Sequence, residues 1–313
     1  MVNQISTYNI TQFTDQVEYL VQQMDSRFWD LSSQKEYRGS GAVATEQVGA
    51  TTVTKVTGLV QPWQVTDTPA NRRWIYSNNY SVCDLIDTFQ ELQIAISPEG
   101  WIAGAQVMAM NRVKDDEWLT NFYGTAQTSN TSSTGNSPST AVPFPTTQIV
   151  NSYVGTSGTT TATGMNVPKL RAARKLFLTA EVDLKNDPAA CGMDAVQLDN
   201  MLNQAQAISM DFQDKPVLQE GMITRFMGFE LVHSERIQKL GTDTSGTASG
   251  SPFTQNPVWV RSGMRAGTWI AEKTDIFQAD ELTARPWRVA SWLKIGATRL
   301  QEPKCVIINC TES

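Results

Sequence analysis

One histidine, His233, serves the whole chain of 313 residues, and no two of the four cysteines stand at C-x-x-C spacing. His233 has neither a cysteine nor a second histidine close by in sequence, so a zinc site, which draws ligands from tight pairs, is not expected. The motifs that cradle phosphates, build a nucleophile elbow or place two histidines on one helix face are all missing. No apolar run approaches the roughly 18 residues that span a bilayer. The start of the chain, Met1-Val2-Asn3-Gln4-Ile5, lacks the basic and apolar regions of a signal peptide, so a cytosolic protein without a membrane role is the expectation. Charge is also scarce: 18% of residues carry it, and the net value is -6. A dedicated nucleic-acid binder would need a basic surface to displace counterions from phosphates, and this balance argues against one.

The chain does contain enough apolar residues, 40%, to bury a sizeable core. Residues 1–11 are polar and read as an extended arm. Phe13, Val17, Leu20, Val21, Met24 and Phe28 then recur at helical spacing. From Ala42 to Thr57 the residues are largely β-branched, and after a loop with Pro62 and Pro69 a second run extends from Arg72 to Val82. Two such runs around a long connection predict an extended hairpin, and a hairpin alone is marginal in water. Ser97-Pro98-Glu99 is a helix start. The helical pattern from it runs to Gly124, the longest element in the sequence.

The stretch 124–164 and the stretch 241–251 are rich in Thr, Ser, Gly and Asn and read as surface loops. Between them lie two helices, from Pro168 to about Glu181 and from Met193 to about Gln204. A strand candidate follows at Ile223–Ser234, with Gly228 as a bulge. Further strands are expected at Val258–Val260, Arg288–Ile295 and Cys305–Asn309. Helices and strands alternate without a regular βαβ cadence, which gives the fold class α+β.

Few residues suggest chemistry. His233 lies on a probable strand and reads as structural. Asp115-Asp116-Glu117 reads as a solvated helix face, and Lys169, Arg171, Arg174 and Lys175 as a solvated basic face. Cys83, Cys191, Cys305 and Cys310 read as reduced structural thiols, with Cys305 and Cys310 on opposite faces of one strand. Nine tryptophans are scattered over the chain, which favours packing over a stacking platform. Neither a catalytic residue, a metal ligand nor a cofactor site is expected.

The order of segments resembles the major capsid proteins of tailed double-stranded DNA bacteriophages, the HK-ninety-seven-like fold. The matching parts are the arm, the hairpin (the E-loop of that family) and the long spine helix from Pro98. Arg73-Trp74-Ile75-Tyr76, Asp84-Leu85-Ile86-Asp87, Lys169-Leu170-Arg171-Ala172-Ala173, Gly221-Met222-Ile223, Gly228-Phe229-Glu230-Leu231 and Gly296-Ala297-Thr298-Arg299-Leu300 follow in the order of one branch. The resemblance implies an N-terminal arm and helix over 1–36, an E-loop over 37–94 and a peripheral domain with its spine helix and polar loop over 95–164. An axial domain would follow over 165–280, with C-terminal strands over 281–313 returning to the periphery.

What the resemblance implies is a structural, non-enzymatic subunit of the virion. It would assemble in the host cytoplasm into pentamers and hexamers of an icosahedral head around double-stranded DNA. Some members carry a cleaved N-terminal scaffolding region. The sequence leaves no room for one, so a separate scaffolding protein is expected, beside a portal protein, cement proteins and non-specific contact with packaged DNA. Candidate contacts between subunits are Phe13, Val53, Lys55, Trp63, Arg72, Arg73 and Trp74. Two other readings stay open: an encapsulin-type shell filled with protein cargo, and a Trp-rich carbohydrate-active enzyme or binding module.

Overall fold

The computed structural model describes residues 22–39, 41–58, 62–63, 65–86, 98–130, 140–155, 162–204, 224–240, 253–283 and 285–312. The long helix is where the sequence puts it. Helix α1 (Pro98–Tyr123, 26 residues) is made largely of alanine and unbranched side chains, and at about 1.5 Å per residue it extends roughly 39 Å. Its last carbonyls have no partner inside the helix, and a buried arginine supplies one. Arg299 donates to the carbonyls of Phe122, Gly124 (2.6 Å) and Asn121 (3.3 Å), and to Val142 (3.2 Å) beyond the helix. Its guanidinium also lies over the ring of Phe144, 5.0 Å from the centroid. A cation at this end meets the negative pole of the helix dipole.

Packing divides the chain into two compact units. The larger comprises 27–78, 114–269 and 295–312, and the smaller includes 22–26, 79–113 and 270–294. The heart of the larger unit is a mixed sheet of seven strands. Its order is β7 (Ile149–Val150), β15 (Cys305–Thr311), β12 (Phe253–Val260), β8 (Ala189–Met193), β10 (Phe229–His233) and β9 (Arg225–Phe226), with β11 (Lys239–Leu240) also on β12. Every residue of β12 and β15 is buried, so both faces of these strands are covered.

The two-residue period of the strand sorts the side chains. Val258, Val260, Val306, Ile308 and Cys310 join the core cluster with Leu170, Ala173 and Phe177 of helix α2 (Val167–Thr179). Trp259 joins a different cluster, 4.6 Å from the Trp118 ring and 5.6 Å from Phe28, with Phe122 stacked on Trp118 at 5.1 Å. Both indole N–H groups are satisfied, by Ser32 Oγ at 2.6 Å and the Leu31 carbonyl at 3.1 Å.

The hairpin is part of a second sheet in the larger unit. Strand β2 (Ala42–Val48) pairs with β3 (Ala70–Tyr76), β3 with β5 (Ala126–Asn130), and β5 with β6 (Thr140–Val142), all antiparallel. A third sheet runs β1 (Ser33–Glu36), β13 (Met264–Gln278), β14 (Trp287–Arg299), β4 (Asn78–Ile86). In the smaller unit the buried amide of Gln106 ties α1 to this sheet. It donates to Asp84 (2.7 Å) and to the Val289 carbonyl (3.0 Å), and accepts from Ser291 (2.8 Å).

Several expectations are corrected. The first hairpin strand stops at Val48, and residues 50–57 have no ladder; the bond from Gly49 N to the Pro69 carbonyl, 2.7 Å, closes the paired part. The run Arg72–Val82 is two strands in two sheets, broken at Ser77, which donates twice to the Gly41 carbonyl. The polar stretch 124–164 contains β5, β6 and β7, because ladder partners on β3, β5 and β15 accept segments too short and too polar to announce themselves as strands. Gly228 is no bulge: Met227 and Gly228 both have positive φ, 51° and 86°, and form the two-residue turn between β9 and β10. Met24 and Phe28 lie in irregular chain, while the arm and the rest of the expected first helix fall outside the described residues, as do 241–251 and Ser97.

Gly296 sits where the backbone of Tyr76 leaves no room for a side chain; a Cβ there would lie 1.8 Å from the Tyr76 carbonyl oxygen. Gly296→Ala should therefore lower subunit stability more than Gly41→Ala, whose Cβ would meet only Ser77 Oγ at 3.7 Å, in parallel urea titrations. Arg299→Leu should cost about 3 kcal/mol in the same measurement, because it strands the buried Phe122 carbonyl and takes the charged donor from three part-buried ones. A loss below about 0.5 kcal/mol would show that the arginine is not what closes α1.

Candidate functional site

Most of the residues with chemical potential are held in contacts within the chain. The Nε2 atom of His233 faces Glu235 Oε1 at 3.0 Å, and Nδ1 faces Arg27 Nη1 at 3.0 Å. A carboxylate on one side and a guanidinium donor on the other call for a proton on Nε2 and a lone pair on Nδ1. Both ring nitrogens are thereby engaged.

Asp115 and Glu117 correct the expectation of a solvated face: both are buried. Asp115 accepts from the backbone N–H groups of Arg27 (3.0 Å) and Phe28 (3.1 Å), and Glu117 accepts from Asn78 (2.9 Å) and Asn121 (2.8 Å). Asp116 between them pairs with Arg236. Lys169 is corrected in the same way. It is fully buried, with Nζ donating to the carbonyls of Thr163 (2.6 Å), Gly164 (3.0 Å) and Asn309 (3.0 Å), and burial pulls its pKa below the usual lysine value. Burial pushes the Cys305 thiol up to about 12 and raises those of Cys191 and Cys310, so all three stay protonated. Among the described residues no group of three or more His, Cys, Asp or Glu could hold a metal ion, and no helix is long and apolar enough to cross a membrane.

A different feature distinguishes the surface. Past the end of β2 and before β3 the hairpin narrows to two unladdered arms, bridged by the hydroxyls of Thr51 and Thr68 at 2.9 Å. On these arms Val53 is 95% exposed, Trp63 98% and Val65 96%; Val56 on the arms and Val48 at the end of β2 are also largely exposed. Large apolar side chains this exposed and this close together in sequence are unlike the singly scattered apolar residues of an ordinary surface. Two arms without a sheet have no interior in which to bury them.

The seven sequence candidates divide sharply. Val53, Lys55 and Trp63 stand on the exposed arms. Arg72 pairs with Glu46 across β2 and β3 at 3.0 Å. Arg73 is buried and gives a two-pronged contact to Glu302 of its own chain, 2.8 and 2.9 Å. Trp74 is half-buried, its Nε1 donating to Ser129 Oγ at 3.1 Å. Phe13 lies outside the described residues. Val48, Val56 and Val65 were missed by sequence reasoning; their signal was valine set among Thr, Gly and Pro, which looks like any strand before its pairing is known.

Comparison with known proteins gives this surface a setting. The family model for phage capsid proteins matches residues 5–312. The capsid of the cyanophage P-SCSP1u is similar in structure, with a TM-score of 0.73 at 12% identity over 100% of this chain and 96% of that one. The capsid of Ralstonia phage GP4 gives 0.70 at 11% identity, covering 99% and 97%, and that of cyanophage Pam1 gives 0.68 at 11%, covering 100% and 99%. None of the curated proteins matches. At these identities the structural likeness shows the fold, which is HK-ninety-seven-like. The comparisons support neither the encapsulin nor the carbohydrate reading, and two of the tryptophans behind the latter, Trp118 and Trp259, are fully buried in the core. With the family model spanning nearly its whole length, the chain belongs to the phage capsid protein family and is a structural subunit of the head shell.

Proposed function

We propose that the subunit builds an icosahedral head around double-stranded DNA by laying its hairpin arms, residues 48–67, on the next copy in rings of five and six. The observation that carries this is the set of apolar side chains on those arms, with Val53, Trp63 and Val65 almost wholly exposed. Fully burying such a side chain is worth about 1.5–3 kcal/mol, and a closed ring multiplies one modest contact by its copy number. Lys55 adds a charge beside the apolar set for pairing at the rim. Phe13, in the arm, and Arg72, whose partner Glu46 is itself exposed, are secondary contacts. Arg73 and Trp74 serve instead to hold β3 in its own chain.

The same reading gives the remaining spans their roles: 1–36 as the reaching arm, 95–164 as the peripheral domain, 165–280 as the axial domain and 281–313 as strands closing the periphery. It also calls for a separate scaffolding protein, a portal protein at one vertex, cement proteins on the outer surface and non-specific contact with the packaged DNA, with assembly in the host cytoplasm. A chain of net charge -6 would hold DNA loosely, which suits a genome that has to leave.

Because β2 and β3 belong to the chain's own four-stranded sheet, the test must spare them. Replacing residues 50–67 with a short Gly-Ser turn should leave the circular dichroism spectrum close to that of the parent and abolish fast-sedimenting shells. Normal shells from that variant would sink the clamp assignment. In the full-length chain, Trp63→Ser should reduce the yield of shells several-fold without lowering the subunit's denaturation midpoint, whereas His233→Gln should leave both readouts within error.

A further inference from the structure

Helix α2 presents two unlike faces. Leu170, Ala173 and Phe177 are buried against the large sheet, while Arg171, Arg174, Lys175, Leu178 and Thr179 are exposed. Positions 171, 174, 175 and 178 are spaced so that they fall on one stripe of the helix. Together with Met227 this stripe lines an open groove of about 440 Å3. The far wall is fixed by the two-residue turn at Met227 and Gly228, and Arg174 Nη1 donates to the Met227 carbonyl at 3.0 Å, which orients its guanidinium.

Charge is the informative property here. The stretch 166–180 contains no Asp or Glu. Arg72, Arg73, Arg236, Lys239, Lys273, Arg285 and Arg288 each form an ion pair with a carboxylate of their own chain. Arg171, Arg174 and Lys175 thus concentrate positive charge at one place on an acidic chain. Leu178, about one turn beyond Arg174 and Lys175 on the same stripe, is 56% exposed, so the groove offers an apolar side chain beside three cations.

The geometry points to this groove as the docking site for an acidic, amphipathic helical segment of another protein, with carboxylates against the three cations and an apolar side chain on Leu178 and Met227. Nucleic acid fits less well. A phosphate strand gains nothing from an exposed leucine, and three cations release few counterions. Helix-in-groove docking uses both properties of the site. Exposed ion pairs are individually weak and screened by salt, which makes the contact reversible, as a partner present only during assembly requires. The identity of that partner as an assembly protein rests on the head-shell reading; the binding chemistry of the groove does not.

The test uses the full-length, unassembled subunit and fluorescence anisotropy with three probes. These are a labelled helical peptide bearing Glu along one edge of a Leu stripe, its Glu-to-Gln counterpart, and a DNA duplex. The acidic peptide should bind, and its affinity should fall at least tenfold for the combined variant Arg171→Gln, Arg174→Gln, Lys175→Gln. Leu178→Ser should weaken it about threefold to tenfold, and the Gln peptide should bind no better than that combined variant binds the acidic one. Circular dichroism checks that these exposed substitutions leave the fold intact. The inference is overturned if the acidic peptide does not bind, if the combined variant binds it as well as the parent does, or if the duplex binds more tightly through the same three residues. Shell formation through the hairpin is read separately by sedimentation, so peptide binding can fail while the shell reading stands, and the reverse.

Discussion

Strands β12 and β15 have to be covered on both faces, and most of the larger unit is arranged to do it. Their fifteen residues are all buried, and alternation sends neighbouring side chains to opposite sides. On one side helix α2 delivers Leu170, Ala173 and Phe177. On the other, Trp259 needs a partner of its own size, and Trp118 from the end of α1 and Phe28 provide it. The irregular chain around Phe28 can stay there because Asp115, one turn before Trp118, takes its N–H groups. A carboxylate is thus buried among aromatic rings, and its hydrogen bonds to the backbone offset the cost of removing it from water.

Two long cations satisfy main-chain groups buried by that arrangement. Lys169 reaches three carbonyls on the helix side, and Arg299 closes the end of α1. Both side chains come from segments that the sequence marked as resembling the capsid family, and each is a charged donor aimed at a set of main-chain acceptors. Gly296, three residues before Arg299, is dictated by contact with the Tyr76 backbone.

The hairpin obeys a different balance. Its base is an ordinary sheet of four strands, held by the ladder and by Arg73 on Glu302. Its arms beyond Val48 have no ladder and an excess of exposed apolar area. A subunit that kept those residues in water would gain nothing from them. Under the proposed clamp they are the part of the chain that another copy would cover.

Length, the absence of catalytic motifs, the long helix, both α2 and α3 (Ala195–Leu202) and the strands β12, β14 and β15 were all legible in the sequence. Each is fixed by local signals: a proline and a glycine bounding α1, periodic apolar residues, β-branched runs. The order of segments also carried the capsid resemblance. What the sequence could not show was which strands pair. Nothing local separates Arg72–Tyr76 from Asn78–Ile86 until Ser77 binds the Gly41 carbonyl, nor makes a strand of Ala126–Asn130 until β3 lies beside it. For the same reason adjacent charges misled. Asp115, Glu117, Lys169 and Arg73 read as surface because charge avoids the interior unless paired, and their partners are main-chain groups or residues far along the chain, brought near only by the tertiary fold. Val53 and Trp63, by contrast, stay almost wholly exposed, because the arms that bear them have no ladder and no sheet to pack on.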